Sequence, residues 1–266
     1  MTALAPSLPT PRLVRAELLK LRKRRGLVAI TACLTVGAAV LTYGVLAILH
    51  AANPAHHGPA GGVTNLGHGL FVLAILGSVA ATIVGATAGA GDLAAGVFRE
   101  LVVTGRSRRS LFRARIPGGL AFLLAFVAVA YALAAVATVV FAGSLPAPST
   151  GLLASAGAWL VLSCAFWFAL TLGVGSLVGS RSMTIGGMLA FRLAVSPIVL
   201  SIGALGAARE AVPAAGLSRV APHAVREFTQ QAGRIPMSVS VAELVLLAWA
   251  VAALALGAWR TVTRDA

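Results

Sequence analysis

"LGHGLFVLAILGSVAATIVGATAGA", Leu66–Ala90, contains no Lys, Arg, Asp or Glu. A helix of that length reaches about 38 Å at ~1.5 Å per residue, and the hydrocarbon core of a bilayer is about 30 Å thick. The next stretch, "GDLAAGVFRELVVTGRSRRSLFRAR", Gly91–Arg115, carries six arginines. A second apolar run, Gly118–Ala142, follows it. A greasy segment, a short cationic hairpin and another greasy segment form the pattern of a chain that crosses a membrane, turns at its surface and crosses back.

Working outward, four more stretches have the same length and character: Gly26–Leu49, Leu152–Val178, Met183–Ala207 and Val239–Trp259. The chain is 59% hydrophobic and only 11% charged, whereas soluble domains are about a quarter charged. Its mean hydropathy is +0.94. The expected fold is therefore an all-α polytopic membrane protein with six transmembrane helices in one domain, residues 1–266. No gap between spans is long enough to bury a core of its own. The first apolar run is about twice the ~7–15 residues of a signal-peptide core. It reads as a retained helix, although "HAANPA" after it faintly resembles a cleavage site.

The net charge of +14 points to topology and anionic headgroups rather than nucleic acid. The arginines flank spans, and no aromatic residues interleave with them as a base-stacking platform would need. Arg12, Arg15, Lys20, Arg22, Lys23, Arg24 and Arg25 precede span one. The hairpin holds Arg99, Arg106, Arg108, Arg109, Arg113 and Arg115. Arg181 separates spans four and five, and Arg260 and Arg264 follow span six. Alternating crossings put all of these on one face. Only Arg209, Arg219, Arg226 and Arg234 fall on the other. The positive-inside rule makes the rich face cytoplasmic, so both termini are expected there, at a cytoplasmic (inner) membrane.

Residues 11–25 suit an N-terminal interfacial helix, with Val14, Leu18 and Leu21 on one stripe. It either lies on the inner leaflet or serves as a plain charged anchor. Residues 1–10, rich in proline, read as a loose tail. Residues 208–238 read as an outer loop. Ala81, Gly85 and Gly89 in span two, and Gly175 and Gly179 in span four, have the spacing that lets helix backbones approach closely. That packing serves either one subunit or a dimer seam. Pro197 is expected to bend span five. Cys33 and Cys164 sit in apolar runs and read as small buried hydrophobes.

Much catalytic chemistry is missing. Neither lysine follows a glycine, so no phosphate-binding G-x4-GK[ST] loop exists, and neither HExxH nor GxSxG is present. The chain is not expected to be an enzyme and binds no cofactor directly. His50, His56, His57, His68 and His223 all fall toward the outer face without ligand-like spacing, so no metal site is assigned. Of seven acidic residues only Glu243 falls clearly within a span, which leaves little for proton-driven transport. Arg192 is the one intramembrane cation. Two readings stand for it: a side chain snorkelling to the cytoplasmic surface, or a residue lining a polar pathway. Glu243, near the outer end of span six, is too distant in depth for an easy partner.

The hairpin carries the functional signal. Asp92–Thr104 can form a short helix with Asp92 at its N-terminus and Gly105 as its stop. Leu93, Val97, Phe98, Leu101 and Val102 give it an apolar face. Ser107 or Ser110 can then cap a second helix running toward Pro117. Such an amphipathic cytoplasmic helix either lies on lipid or docks in a groove of another protein.

Several stretches resemble the permease subunits of ABC-2 type transporters. "RAELLKLRKRR" is similar to that family's basic interfacial helix, and "DLAAGVFRELVVTGRSRRSLFRAR" resembles its cytoplasmic loop. "GSLVGSRS" after span four, "APHAV" before span six and the closing "RTVTRDA" are similar too. The chain departs from the family pattern at Asp92, where Glu is frequent, at Val97, where Thr is frequent, and at Gly105-Arg106, where a Pro often precedes the Ser-Arg. The resemblance implies an exporter in which the loop acts as a coupling helix on a separate ATP-binding cassette ATPase subunit. ATP then binds the partner, and a second permease chain, identical or different, completes the pathway within membrane lipids. With the amphipathic hairpin it makes Asp92, Phe98, Arg99, Glu100 and Leu101 the coupling candidates, while Arg192 is the pathway candidate on its depth alone. The substrate is not implied. The rivals are a non-transporting membrane immunity or assembly factor and a gradient-driven carrier.

Overall fold

A computed structural model of the chain describes residues 11–96, 107–226 and 235–263. Among the described residues, six helices are long and apolar enough to cross a membrane. They are span one, Arg25–Ala52; span two, Gly62–Ala94; span three, Arg108–Val140; span four, Thr150–Val178; span five, Arg181–Ser201; and span six, Val239–Thr263. The chain is a multi-pass membrane protein, and its regular structure among the described residues is all helical.

Span two is the axis of the bundle. Its middle and end, Ala80 to Asp92, are buried throughout. Small residues make this possible. A Cβ on Gly85 would lie 2.7 Å from the Phe168 carbonyl oxygen, and one on Gly89 would lie 3.1 Å from the Ser176 nitrogen. Spans two and four therefore meet backbone to backbone, and the small-residue spacing is used inside the subunit. A second close crossing joins spans four and six, where a Cβ on Gly257 would lie 2.8 Å from the Gly173 carbonyl oxygen. Around this axis, Leu70, Leu123, Leu160, Trp167 and Phe168 are fully buried. The outer faces of spans one, three, five and six expose Leu41, Val136, Ile198 and Leu244, as helices solvated by lipid do.

Where helices begin and end follows local chemistry. Ser107, Ser149 and Ser180 are extended residues whose hydroxyls accept from the third amide beyond them, opening spans three, four and five. Span four stops at Gly179, whose φ of 75° is left-handed. The hairpin's second arm is not a separate helix, because span three starts at Arg108 and runs unbroken through Pro117. Span five ends at Ser201, short of the expected Ala207, and Gly203–Ala211 forms two tight turns broken by a kink at Gly206, whose φ is 51°. Pro197 is accommodated by a wide turn just before it, Phe191–Val195. The Ser196 hydroxyl donates to the Phe191 carbonyl there at 2.8 Å. Span one has a similar wide turn, Cys33–Gly37. Cys33 is exposed on the surface of that span, and only Cys164 is buried. The turn places the Cys33 side chain on the outward face, which corrects the expectation for it.

The described residues between spans five and six form ordered structure. Pro213–Arg219 and His223–Arg226 are short helices. The Trp159 indole donates to the Leu217 carbonyl at 2.9 Å, and Arg219 donates to the Met237 carbonyl at 2.6 Å. His50 lies 2.7 Å from the His57 carbonyl across the turn after span one. Glu243 is exposed near the start of span six.

Candidate functional site

The hairpin leaves the bundle at the end of span two and returns at the start of span three. The leading helix Pro11–Lys23 packs along the start of span three and reaches the end of span two through Lys20. Its stripe of Val14, Leu18 and Leu21 faces inward, and Leu21 is 1% exposed. A Cβ on Gly118 would lie 2.8 Å from the Glu17 Cβ and 3.2 Å from the Val14 carbonyl oxygen, so the glycine admits the helix against span three. The stripe is thus turned against protein, with Leu21 buried and Val14 and Leu18 half-buried.

Four charged side chains converge at this junction. Asp92 lies in the last turn of span two and is 3% exposed. The Arg115 Nη2 donates to its Oδ2 at 2.8 Å. The Lys20 Nζ donates to both carboxylate oxygens at 3.0 Å, and it also sits 2.5 Å from Glu17 Oε2. Arg115, 1% exposed, donates through Nη1 to the Gly89 carbonyl at 3.3 Å. The Ser176 hydroxyl of span four is directed at the same carbonyl, 3.4 Å away, and at Leu172 O, 2.9 Å away. The four formal charges sum to zero. A carboxylate at a helix C-terminus is disfavoured by the helix dipole, and a buried one needs a cation and hydrogen bonds. The two cations answer both demands.

This placement corrects the sequence expectation for Asp92. It does not open an exposed surface helix but closes span two from within the protein. Two cations from elements far apart in the sequence hold it there. The remaining coupling candidates, Phe98, Arg99, Glu100 and Leu101, and most of the expected Asp92–Thr104 helix lie outside the described residues. Sequence reasoning missed Lys20 and Arg115 as its partners, and Glu17 as the second carboxylate on Lys20. The available signal was general: a stretch with two carboxylates, Asp92 and Glu100, beside six arginines must pair some of them. A further tie went unread. Arg108, in the first turn of span three, donates to the Val262 carbonyl at 3.1 Å, a cation on the carbonyl end of span six.

Arg192 is the second site. It lies in the wide turn of span five, and its side chain does not reach the basic end of the bundle. Its Nη2 donates to the Ala74 carbonyl of span two at 3.2 Å. Its guanidinium carbon is 4.6 Å from the centre of the Trp167 ring. Ala74 stands about 27 Å along span two from Asp92 at ~1.5 Å per residue, so the charge stays at depth and the snorkelling reading fails. An arginine at mid-membrane costs about 2.5–3.5 kcal/mol on insertion scales. A desolvated cation–π contact returns ~2 kcal/mol, and a charged hydrogen bond about 1.5–3. The arginine is tolerated there, but among the described residues no carboxylate pairs with it.

No protein-family model matches the chain, and a search of curated proteins gives no match.

Proposed function

We propose that the chain is the membrane-spanning subunit of an ATP-driven exporter of the ABC-2 kind, working with a separate ATPase subunit and a second permease chain in the cytoplasmic membrane. Both termini and the hairpin face the cytoplasm in this reading. The observation that carries it is the brace at the hairpin's roots. Lys20, Asp92 and Arg115 tie the leading helix, the end of span two and the start of span three into one unit. A force applied to the residues between Asp92 and Arg115 is therefore delivered to span two, the axis on which span four packs. A loop that merely joined two spans would need no such brace. The chain has no phosphate loop, so the nucleotide must act from a partner, and an apolar hairpin helix is the kind of element that docks in a groove.

The test is purification of the tagged chain from its own membranes in mild detergent, with identification of whatever accompanies it and an ATPase assay. A stoichiometric ATPase is the expected companion. A chain that returns alone and inert, under conditions that preserve other membrane complexes, overturns the reading in favour of a non-transporting protein.

A further inference from the structure

Arg192 is held but not neutralised. Trp167 covers one face of its guanidinium, and Nη2 is spent on the Ala74 carbonyl. Its Nε is buried and has no hydrogen-bond acceptor. None of the acidic side chains among the described residues pairs with it. Glu17 and Asp92 form the junction at the basic end, Glu210 lies in the turn after span five, and Glu243 is exposed near the outer end of span six. A buried donor without an acceptor is costly, more so on an ion. Ionisable residues at membrane depth are rare and mark substrate or ion pathways.

The surroundings define what kind of anion. The Phe191 ring lies 6.5 Å from that of Trp167 and 6.0 Å from that of Trp249, so an aromatic row runs from span four across span five to span six. Leu193, Val195 and Trp249 beside it are exposed at the bundle surface. The guanidinium sits in a wide helical turn, a feature that recurs at functional sites. A guanidinium presents its donors as a planar fork matched to two oxygens of a phosphate or carboxylate. The apolar row suits a hydrocarbon or ring system attached to that group.

We propose that Arg192 is the recognition residue of an intramembrane site for an amphipathic oxyanion, a phosphate or carboxylate carried on an apolar body. That this anion is the exporter's cargo rests on the function proposed above; that it binds at Arg192 does not. The apolar body associates with the Phe191–Trp249 row, and the charged oxygens take the Nε side of the guanidinium.

The test uses the purified full-length chain in a neutral maltoside detergent, with tryptophan emission as the readout. Dodecyl phosphate is titrated below its micellar concentration, against dodecyl trimethylammonium and inorganic phosphate. Wild-type protein is expected to bind dodecyl phosphate about ten- to hundredfold more tightly than the cation of equal chain length, the range a charge-assisted hydrogen bond supplies. Arg192→Gln abolishes that preference, and Arg192→Lys, which keeps the charge but loses the fork, reduces it. Equal binding of the two amphiphiles by wild-type protein overturns the proposal without reference to any variant, so a variant that fails to fold does not rescue it. Equal binding of inorganic phosphate and dodecyl phosphate overturns the need for an apolar body. Cargo is separated from a resident lipid in the isolated complex. Stimulation of ATP hydrolysis by dodecyl phosphate in wild type but not in Arg192→Gln supports cargo, and binding without stimulation overturns it. Failure to recover any ATPase sinks the exporter reading and leaves the binding arm standing.

Discussion

The Arg115 guanidinium donates to the Asp92 carboxylate at 2.8 Å, and the two side chains are 1% and 4% exposed. They are the last charged residue of span two and the deepest cation at the start of span three, so one buried contact closes both ends of the cationic hairpin. Removing one member leaves the other desolvated without its counter-charge, a change that costs about 3–5 kcal/mol in buried pairs. Asp92→Asn is therefore expected to insert but to lose thermal stability in detergent, by on the order of 10 °C. Asp92→Asn combined with Arg115→Gln is expected to recover at least half of that loss. The check is the monodisperse fraction surviving a heating series in size-exclusion chromatography. Additive losses in the double variant would show that the pair is not coupled.

Lys20 occupies a different position in the same cluster. Its side chain is 28% exposed, so its ion pair is worth little to global stability, about 1 kcal/mol or less. Its effect is local, because it ties the leading helix to the bundle. Lys20→Gln is expected to leave the melting midpoint nearly unchanged while amide exchange in Pro11–Lys23 accelerates, as hydrogen–deuterium exchange mass spectrometry would record. Unaltered exchange in that helix would mean that Val14, Leu18 and Leu21 hold it without the lysine.

The six spans were legible because length and hydropathy act locally, and each stretch reveals its own. Asp92 was not legible for an equally physical reason. Helix-end preferences place a carboxylate at an N-terminus, and they hold unless something distant compensates. Here the compensation comes from Lys20 and Arg115, and nothing near Asp92 in the sequence announces either. The depth of Arg192 could be read from its place in span five. Its direction could not, because that depends on Trp167 and Ala74 being brought beside it by two other spans. The wide turn before Pro197 lies between these cases: the proline signals a disturbance, but the form it takes is set by the packing.

The glycines of span two allow a contrast of substitutions. A Cβ on Gly85 would stand 2.7 Å from the Phe168 carbonyl oxygen, whereas one on Gly186 would meet nothing within 4 Å. Backbone cannot move aside as a flexible side chain can. Gly85→Ala is therefore expected to force spans two and four apart, at about 1–3 kcal/mol for an overpacked site, or roughly 2–10 °C in midpoint. Gly186→Ala is expected to be neutral or slightly stabilising, since alanine is the better helix former. Equal midpoints for the two variants would contradict the close approach of spans two and four.

The brace and the hairpin separate in a final prediction. If the residues between the two roots contact an ATPase while the brace only transmits, then a hairpin substitution should leave folding untouched and affect the partner alone. Phe98→Ala removes a large apolar side chain from the hairpin without altering Glu17, Lys20, Asp92 or Arg115. It is expected to keep the wild-type melting midpoint and yield of membrane insertion. The amount of ATPase recovered per tagged chain is expected to fall by about tenfold or more, as loss of a central aromatic anchor does at an interface. Asp92→Asn should show the converse, a lowered midpoint with less effect on the ATPase recovered per folded chain. Quantitative mass spectrometry of both preparations reads the two quantities together. A Phe98→Ala chain that retains its full complement of ATPase would place the docking surface elsewhere on the basic face and leave the brace a purely structural feature.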